Sequence, residues 1–273
     1  MKSEIAQLCA LCCHANGYLR GSGFPSDLNE NSTFKFCGTV EFTYKKKGLL
    51  WGQSKKTVAA SPADWLRWLS SRKVRRSWLT VRSRSEYFQR NDDFDDYETS
   101  AFVGGGSIWV ITTQTQDDRS CSWVPVWLHQ EADPPRDRPW SVEYRGFNDT
   151  SRFESPDIFG ATKALRGALI DIHKLAADLQ LPFWASHFER ALGWLDGMEG
   201  ERHHGDLSPN GVLSDDARRL LYACQTSWVF GGMGSWNDIY DTEHPDYLAF
   251  SRALFESINA GIVAAANSSG ENL

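Results

Sequence analysis

Near residue 150 the spacing of apolar residues changes, and that change limits the chain to few architectures. Before it, residues 34–45 alternate Phe34, Phe36, Val40, Phe42 and Tyr44, with a slip at Cys37 and Gly38 that predicts a β-bulge. Further β-rich runs follow at 77–83, 100–114, 122–130 and 140–147, separated by turn-forming stretches that include Pro134, Pro135 and Pro139. After it, Ile158, Ala161, Leu165, Ala168, Leu169, Ile172, Leu175, Ala176 and Leu179 recur at the helical period. Strands first and helices afterwards predict an α+β fold, an antiparallel β-sheet with one inserted helix packed against about four C-terminal helices.

End signals place the helices. The inserted helix has Ser61 as N-cap, Pro62 at its first position and Asp64 in its first turn. Ser155 is the expected cap of the first C-terminal helix; a second spans about 184–196, a third starts from Ser214, and a fourth begins near Pro245. The Pro-rich stretch 131–140 is the best candidate boundary, but the strand after it should pair with the sheet before it. Residues 1–273 therefore read as a single two-layer domain, 1–150 mainly β and 151–273 mainly α.

Net charge of -6 conceals a polarity along the chain. Residues 1–90 hold 16 Lys and Arg against 6 Asp and Glu, and residues 91–273 hold 13 against 29. Arg72, Lys73, Arg75, Arg76, Arg82 and Arg84 of 72–84 are interleaved and flanked by Trp65, Trp68, Trp78, Tyr87 and Phe88, a pattern that suits a phosphate backbone or another anion. The same cations can instead pair with the acidic part of the molecule. Nucleic acid is the less favoured partner, because the whole chain has a pI of about 5.7.

Twelve Trp residues are spread from Trp51 to Trp236, as expected of indoles filling a core. Of six cysteines, Cys9, Cys12 and Cys13 crowd together and the rest are isolated, which is not a disulfide framework. No second ligand pair accompanies them, so Ile5, Leu8, Cys9, Cys12 and Cys13 read as one buried helix face and no metal is expected. Without a signal peptide or a run of about 18 apolar residues, the expected compartment is the cytoplasm.

The stretch HGDLSPNGVL, residues 204–213, resembles the catalytic loop of aminoglycoside phosphotransferase and choline-kinase-like proteins. The resemblance covers about ten residues and implies Asp206 as the base that orients a substrate hydroxyl, with a nearby Asn on magnesium. The family places that Asn five residues after the Asp; here Gly211 stands there and Asn210 is one place early. Glu199, Glu201, His203, His204 and Asp206 also form a dense run of potential metal ligands, of which adjacent residues point apart. The Gly104–Gly106 run lacks the Lys and the following helix of a phosphate cradle and reads as a turn or bulge.

The second unusual stretch is 228–247. Trp228, Phe230, Met233 and Trp236 make an apolar group bordered by Asn237, Asp238 and Asp241, suited to a basic partner; a connection tucked into the core is the bland alternative. The leading expectation is a noncatalytic protein-interaction module, such as a bacterial immunity or accessory factor, that uses this stretch and needs no cofactor. The alternatives are a metal-dependent hydrolase or phosphotransferase using His204 and Asp206, and a nucleic-acid or anion binder acting through 72–84.

Overall fold

The computed structural model describes residues 1, 3–22, 28–46, 54–83, 107–129, 137–150, 154–231, 234–239 and 244–271. Helix α1 (Ser3–Leu19) precedes the hairpin β1 (Cys37–Lys46) and β2 (Ser54–Ala59), and α2 (Pro62–Ser71) follows. Strands β3 (Val74–Ser83), β4 (Ser107–Thr115), β5 (Ser120–His129) and β6 (Trp140–Asp149) come next. Helices α3 (Ile158–Asp178), α4 (Pro182–Leu195), α5 (Asp215–Thr226) and α6 (Tyr247–Ser268) form the second half. The α+β class and the division of strands from helices are as the periodicity predicts.

The sheet order is β2-β1-β6-β5-β4-β3. Its neighbours are antiparallel except β1 and β6, which run parallel, so the sheet is mixed rather than wholly antiparallel. The cause is α2. It carries the chain from the β2 edge to the opposite edge without reversing strand direction, and three hairpin steps then bring β6 back beside β1 in the same sense. A register shift between Cys37 and Thr39 is the bulge that Cys37 and Gly38 predict. The Gly104–Gly106 run lies outside the described residues.

Local chemistry accounts for most helix ends. Ser61 Oγ accepts from the Asp64 amide at 3.1 Å and Pro62 opens α2. Ser214 caps α5 in the same way. The cap of α3 is Asp157, whose Oδ1 accepts from Gly160 N at 2.7 Å, and not Ser155. Ser155 Oγ instead meets Asn267 Nδ2 at 3.2 Å. Helix α4 starts at Pro182, two residues before the expected point, because Pro fits the first turn, where its missing N–H costs nothing.

The core lies between one sheet face and the helices. Phe42 stacks on Trp65 and Tyr144, each at 4.8 Å between ring centroids, and Trp123 meets Phe42 and Trp65 edge-on. Gly146 makes room for Trp123, since a Cβ there would stand 2.7 Å from its ring. These indoles are core fillers, as their scatter through the chain predicts. Helix α1 is not merely buried on one face: every residue from Ile5 to Gly17 is buried. Its polar members are satisfied, with Gln7 receiving the Tyr144 hydroxyl at 2.8 Å and donating to Thr33 O at 2.8 Å.

Two asparagines close the β3 edge of the sheet. Asn16 of α1 accepts from Ser77 N at 2.7 Å and donates to Ser77 O at 2.9 Å. Asn267 of α6 treats Leu79 identically, at 2.6 and 3.0 Å. Each side-chain amide supplies what a further strand would, so the outward-facing main chain at these two residues is paired within the molecule. Helix α6 has the length and hydropathy of a bilayer span, yet it packs on α3, α5, α1 and β3.

Candidate functional site

The connection from α4 to α5, residues 196–214, is built against the N-terminal part of the chain. Asp206 Oδ1 accepts from Ser32 Oγ at 2.6 Å, and Asp206 Oδ2 accepts from Ser32 N at 2.6 Å. Asn31 Nδ2 donates to the Asp206 carbonyl at 2.5 Å, and His14 Nε2 lies 3.2 Å from the same oxygen. His204 Nδ1 stands 2.8 Å from Ser32 Oγ. Since that hydroxyl gives its proton to the carboxylate, the ring nitrogen is the donor to it. Gln225 in the last turn of α5 holds the His204 main chain, accepting from its N–H at 3.0 Å.

His204 and Asp206 are therefore brought together with Ser32, Asn31, His14 and Gln225. Sequence reasoning missed the last four. The partners are 172 and 174 residues apart in the chain, and no local pattern announces such a contact. Burial lowers the His204 pKa below its ordinary 6.5; the neighbouring His203 adds to this and Asp206 opposes it. Among the described residues, no three His, Cys, Asp or Glu stand close enough to hold a metal ion. Burial also pushes the Cys12 thiol up to about 12 and raises Cys13, so these sulfurs behave as small apolar groups.

Beside this clamp lies an open cleft of about 780 Å³ between α4 and the end of α5. Met1, Trp194, Met198 and Trp228 provide its apolar lining, and Glu189, Glu199, Glu201, His187, His203, Arg190 and Arg202 its charged and polar lining. The last turns of α4 and α5, neither carrying a basic residue, contribute Gly193, Trp194, Gln225 and Thr226. Helix C-termini carry partial negative charge, so both favour a cation there. Arg202 is drawn onto the aromatic wall, its guanidinium 4.9 Å from the Tyr222 ring and 5.8 Å from that of Trp194. Arg190 donates to His187 Nδ1 at 2.8 Å, a contact that suits a neutral imidazole.

The other predicted residues are mostly engaged within the molecule. Trp236 is fully buried among Trp184, Phe188 and Tyr247, with Nε1 donating to Ser251 Oγ at 2.8 Å. Asp238 Oδ2 accepts from Gly234 N and Ser235 N. Trp228 and Phe230 pack edge-on against Phe255. Met233, Asp241 and the Asn237 side chain lie outside the described residues. Among the described residues of 228–247, Trp236 is folded into the core, Phe230 packs on α6, and Trp228 packs on α6 and also lines the cleft.

In the basic segment, Arg75 pairs with Asp118 at 2.7 Å, and Arg82 pairs with Asp149. Arg72 and Arg76 lie over the rings of Trp68 and Trp78 at 5.8 and 5.0 Å. Lys73 occupies the turn into β3 with φ of 55°. Arg84 lies outside the described residues. Two cations of β3 are thus paired with carboxylates of the β4–β5 turn and of the end of β6, which no count along the chain could reveal. Comparison with protein-family models, with curated proteins and with solved structures gave no match.

Proposed function

We propose that the protein is a binding module whose α4–α5 cleft receives cationic side chains of a basic protein partner. The observation that carries the reading is the lining: two indoles and two thioethers with three carboxylates against two arginines, Arg190 held on His187 and Arg202 on the aromatic wall, at the negative ends of two helices. The surrounding charge agrees, since residues 151–273 carry 17 Asp and Glu against 9 Lys and Arg. Such a partner is steered in by the net field before the cleft engages it. The rival hydrolytic or phosphotransfer reading has the Ser32 hydroxyl between His204 and Asp206 in its favour. Against it, both carboxylate oxygens of Asp206 already accept from Ser32, so a substrate hydroxyl would have to displace them.

The test is a fluorescence-anisotropy titration with a labelled oligo-arginine peptide and an oligo-glutamate control. The arginine peptide alone binds, and Glu199→Lys with Glu201→Lys weakens it by about tenfold or more, equivalent to about 1.4 kcal/mol. Asp171→Lys with Asp178→Lys on the exposed side of α3 makes the same change in net charge and has a much smaller effect. No binding by the unaltered protein, or equal weakening by the two charge reversals, overturns the reading.

A further inference from the structure

We propose that Asn210 is a site of spontaneous covalent modification, cyclising with Gly211 to a succinimide that water opens to aspartate or isoaspartate. The chain contains two Asn-Gly pairs, Asn16–Gly17 and Asn210–Gly211, and the fold treats them oppositely. In the reaction the Gly211 main-chain nitrogen attacks Asn210 Cγ. The carboxamide C–N bond breaks, and its nitrogen leaves as ammonia with the proton from Gly211. Water then adds to either ring carbonyl: at Cγ it restores the main chain and leaves an aspartate side chain, and at the main-chain carbon it leaves an α-carboxylate with the chain continuing through Cβ and Cγ as isoaspartate. Glycine on the C-terminal side favours attack, because no Cβ crowds the nucleophilic nitrogen.

Asn210 and Gly211 are both exposed, at the middle of a turn closed by one long hydrogen bond from Val212 N to Pro209 O, 3.3 Å. Gly211 has φ of 75°, and nothing lies within 4 Å of where its Cβ would stand. The pair is therefore free to reorient toward the cyclic geometry. Asn16 is 1% exposed, sits inside α1, and spends its amide on Ser77 and on Ser269 Oγ at 2.7 Å. Cyclisation there needs local unfolding of α1.

Modification at Asn210 would act on the loop that carries His204 and Asp206. Isoaspartate adds a backbone atom two residues before Val212, whose Cγ2 stands 2.8 Å from the position a Gly17 Cβ would take. The Val212 carbonyl also accepts from Arg20 at 3.4 Å. Lengthening the turn displaces these anchors and adds a negative charge beside the cleft loop.

The experiment ages the folded full-length chain at mildly alkaline pH and body temperature, then follows its tryptic peptides 203–218 and 3–20 by mass spectrometry. Each holds one asparagine, Asn210 or Asn16. The conversion of amide to acid proceeds about tenfold or more faster in peptide 203–218, and the difference vanishes when the chain is aged in denaturant. Asn210→Gln removes the conversion from that peptide. Equal rates in the folded chain, or no conversion of peptide 203–218, overturns the proposal.

Discussion

At the scale of single residues, close approaches reveal which side chains the fold cannot change. Gly261 in α6 faces Cys224 in α5, and a Cβ there would stand 2.5 Å from the sulfur. Gly261→Ala is therefore expected to destabilise the protein by about 1–3 kcal/mol through overpacking, despite the better helix propensity of alanine. Adding Cys224→Ala removes the obstructing sulfur and restores part of the loss. Urea denaturation of both single variants and the double variant measures this coupling, and additive effects would contradict it. Neither partner was legible as a contact. The spacing of Leu220, Leu221 and Cys224 in the chain places Cys224 on the inward face of its helix, whereas the fit of sulfur against glycine arises only where two helices cross.

At the scale of elements, the signals that worked were the local ones. The bulge near Cys37, the caps Ser61 and Ser214, and the apolar stripe of α3 all lie within a few residues of what they specify. The misplacement of the α3 cap by two residues has a similarly local origin, because both Ser155 and Asp157 are able capping residues. The Asn16 and Asn267 contacts with β3 are different in kind. Asn16→Ala and Asn267→Ala each leave a buried amide and carbonyl of the edge strand without partners, and each is expected to cost about 1–3 kcal/mol. Chemical denaturation is the measurement, and hydrogen exchange should show the loss concentrated at Ser77 and Leu79. A cost no greater than that of an exposed helix substitution would mean that the helices merely cover this edge. An asparagine within a helix reads as a weak helix former, and nothing nearby in sequence identifies its strand partner.

At the scale of the whole molecule, ionisable groups on both layers couple stability to pH. Glu143 is opposed by burial, but hydrogen bonds from Lys55 and Thr43 and the charge of Arg145 outweigh it, so its pKa falls below the ordinary 4.5. Its stabilising effect is present above the unfolded value and is lost as pH drops through the folded one. Burial lowers His204 and His187 below 6.5, so on acidification the unfolded chain takes up these protons first. Both contributions have the same sign. The melting temperature is expected to fall as pH drops below about 6.5 and to fall further below about 4.5, with a shallower first step in His204→Gln. A first step unchanged in that variant would remove His204 from the account.

By itself the sequence determined the class of the fold, the position of most helices and strands, the absence of a disulfide framework and the opposite charges of the two halves. These follow from periodicity, capping and composition, each of which acts over a few residues or sums over many. Only the tertiary structure decided that β6 returns parallel to β1, that α1 is buried all round, that Ser32 meets Asp206, and that the cleft opens between α4 and α5. Those outcomes depend on which distant surfaces exclude water together and which buried polar groups then satisfy one another. The stretch 228–247 marks the boundary between the two kinds of information. Its aromatic content was plain in the chain, while the burial of Trp236 and the placing of Trp228 at the cleft were set by how α4 and α6 pack around them.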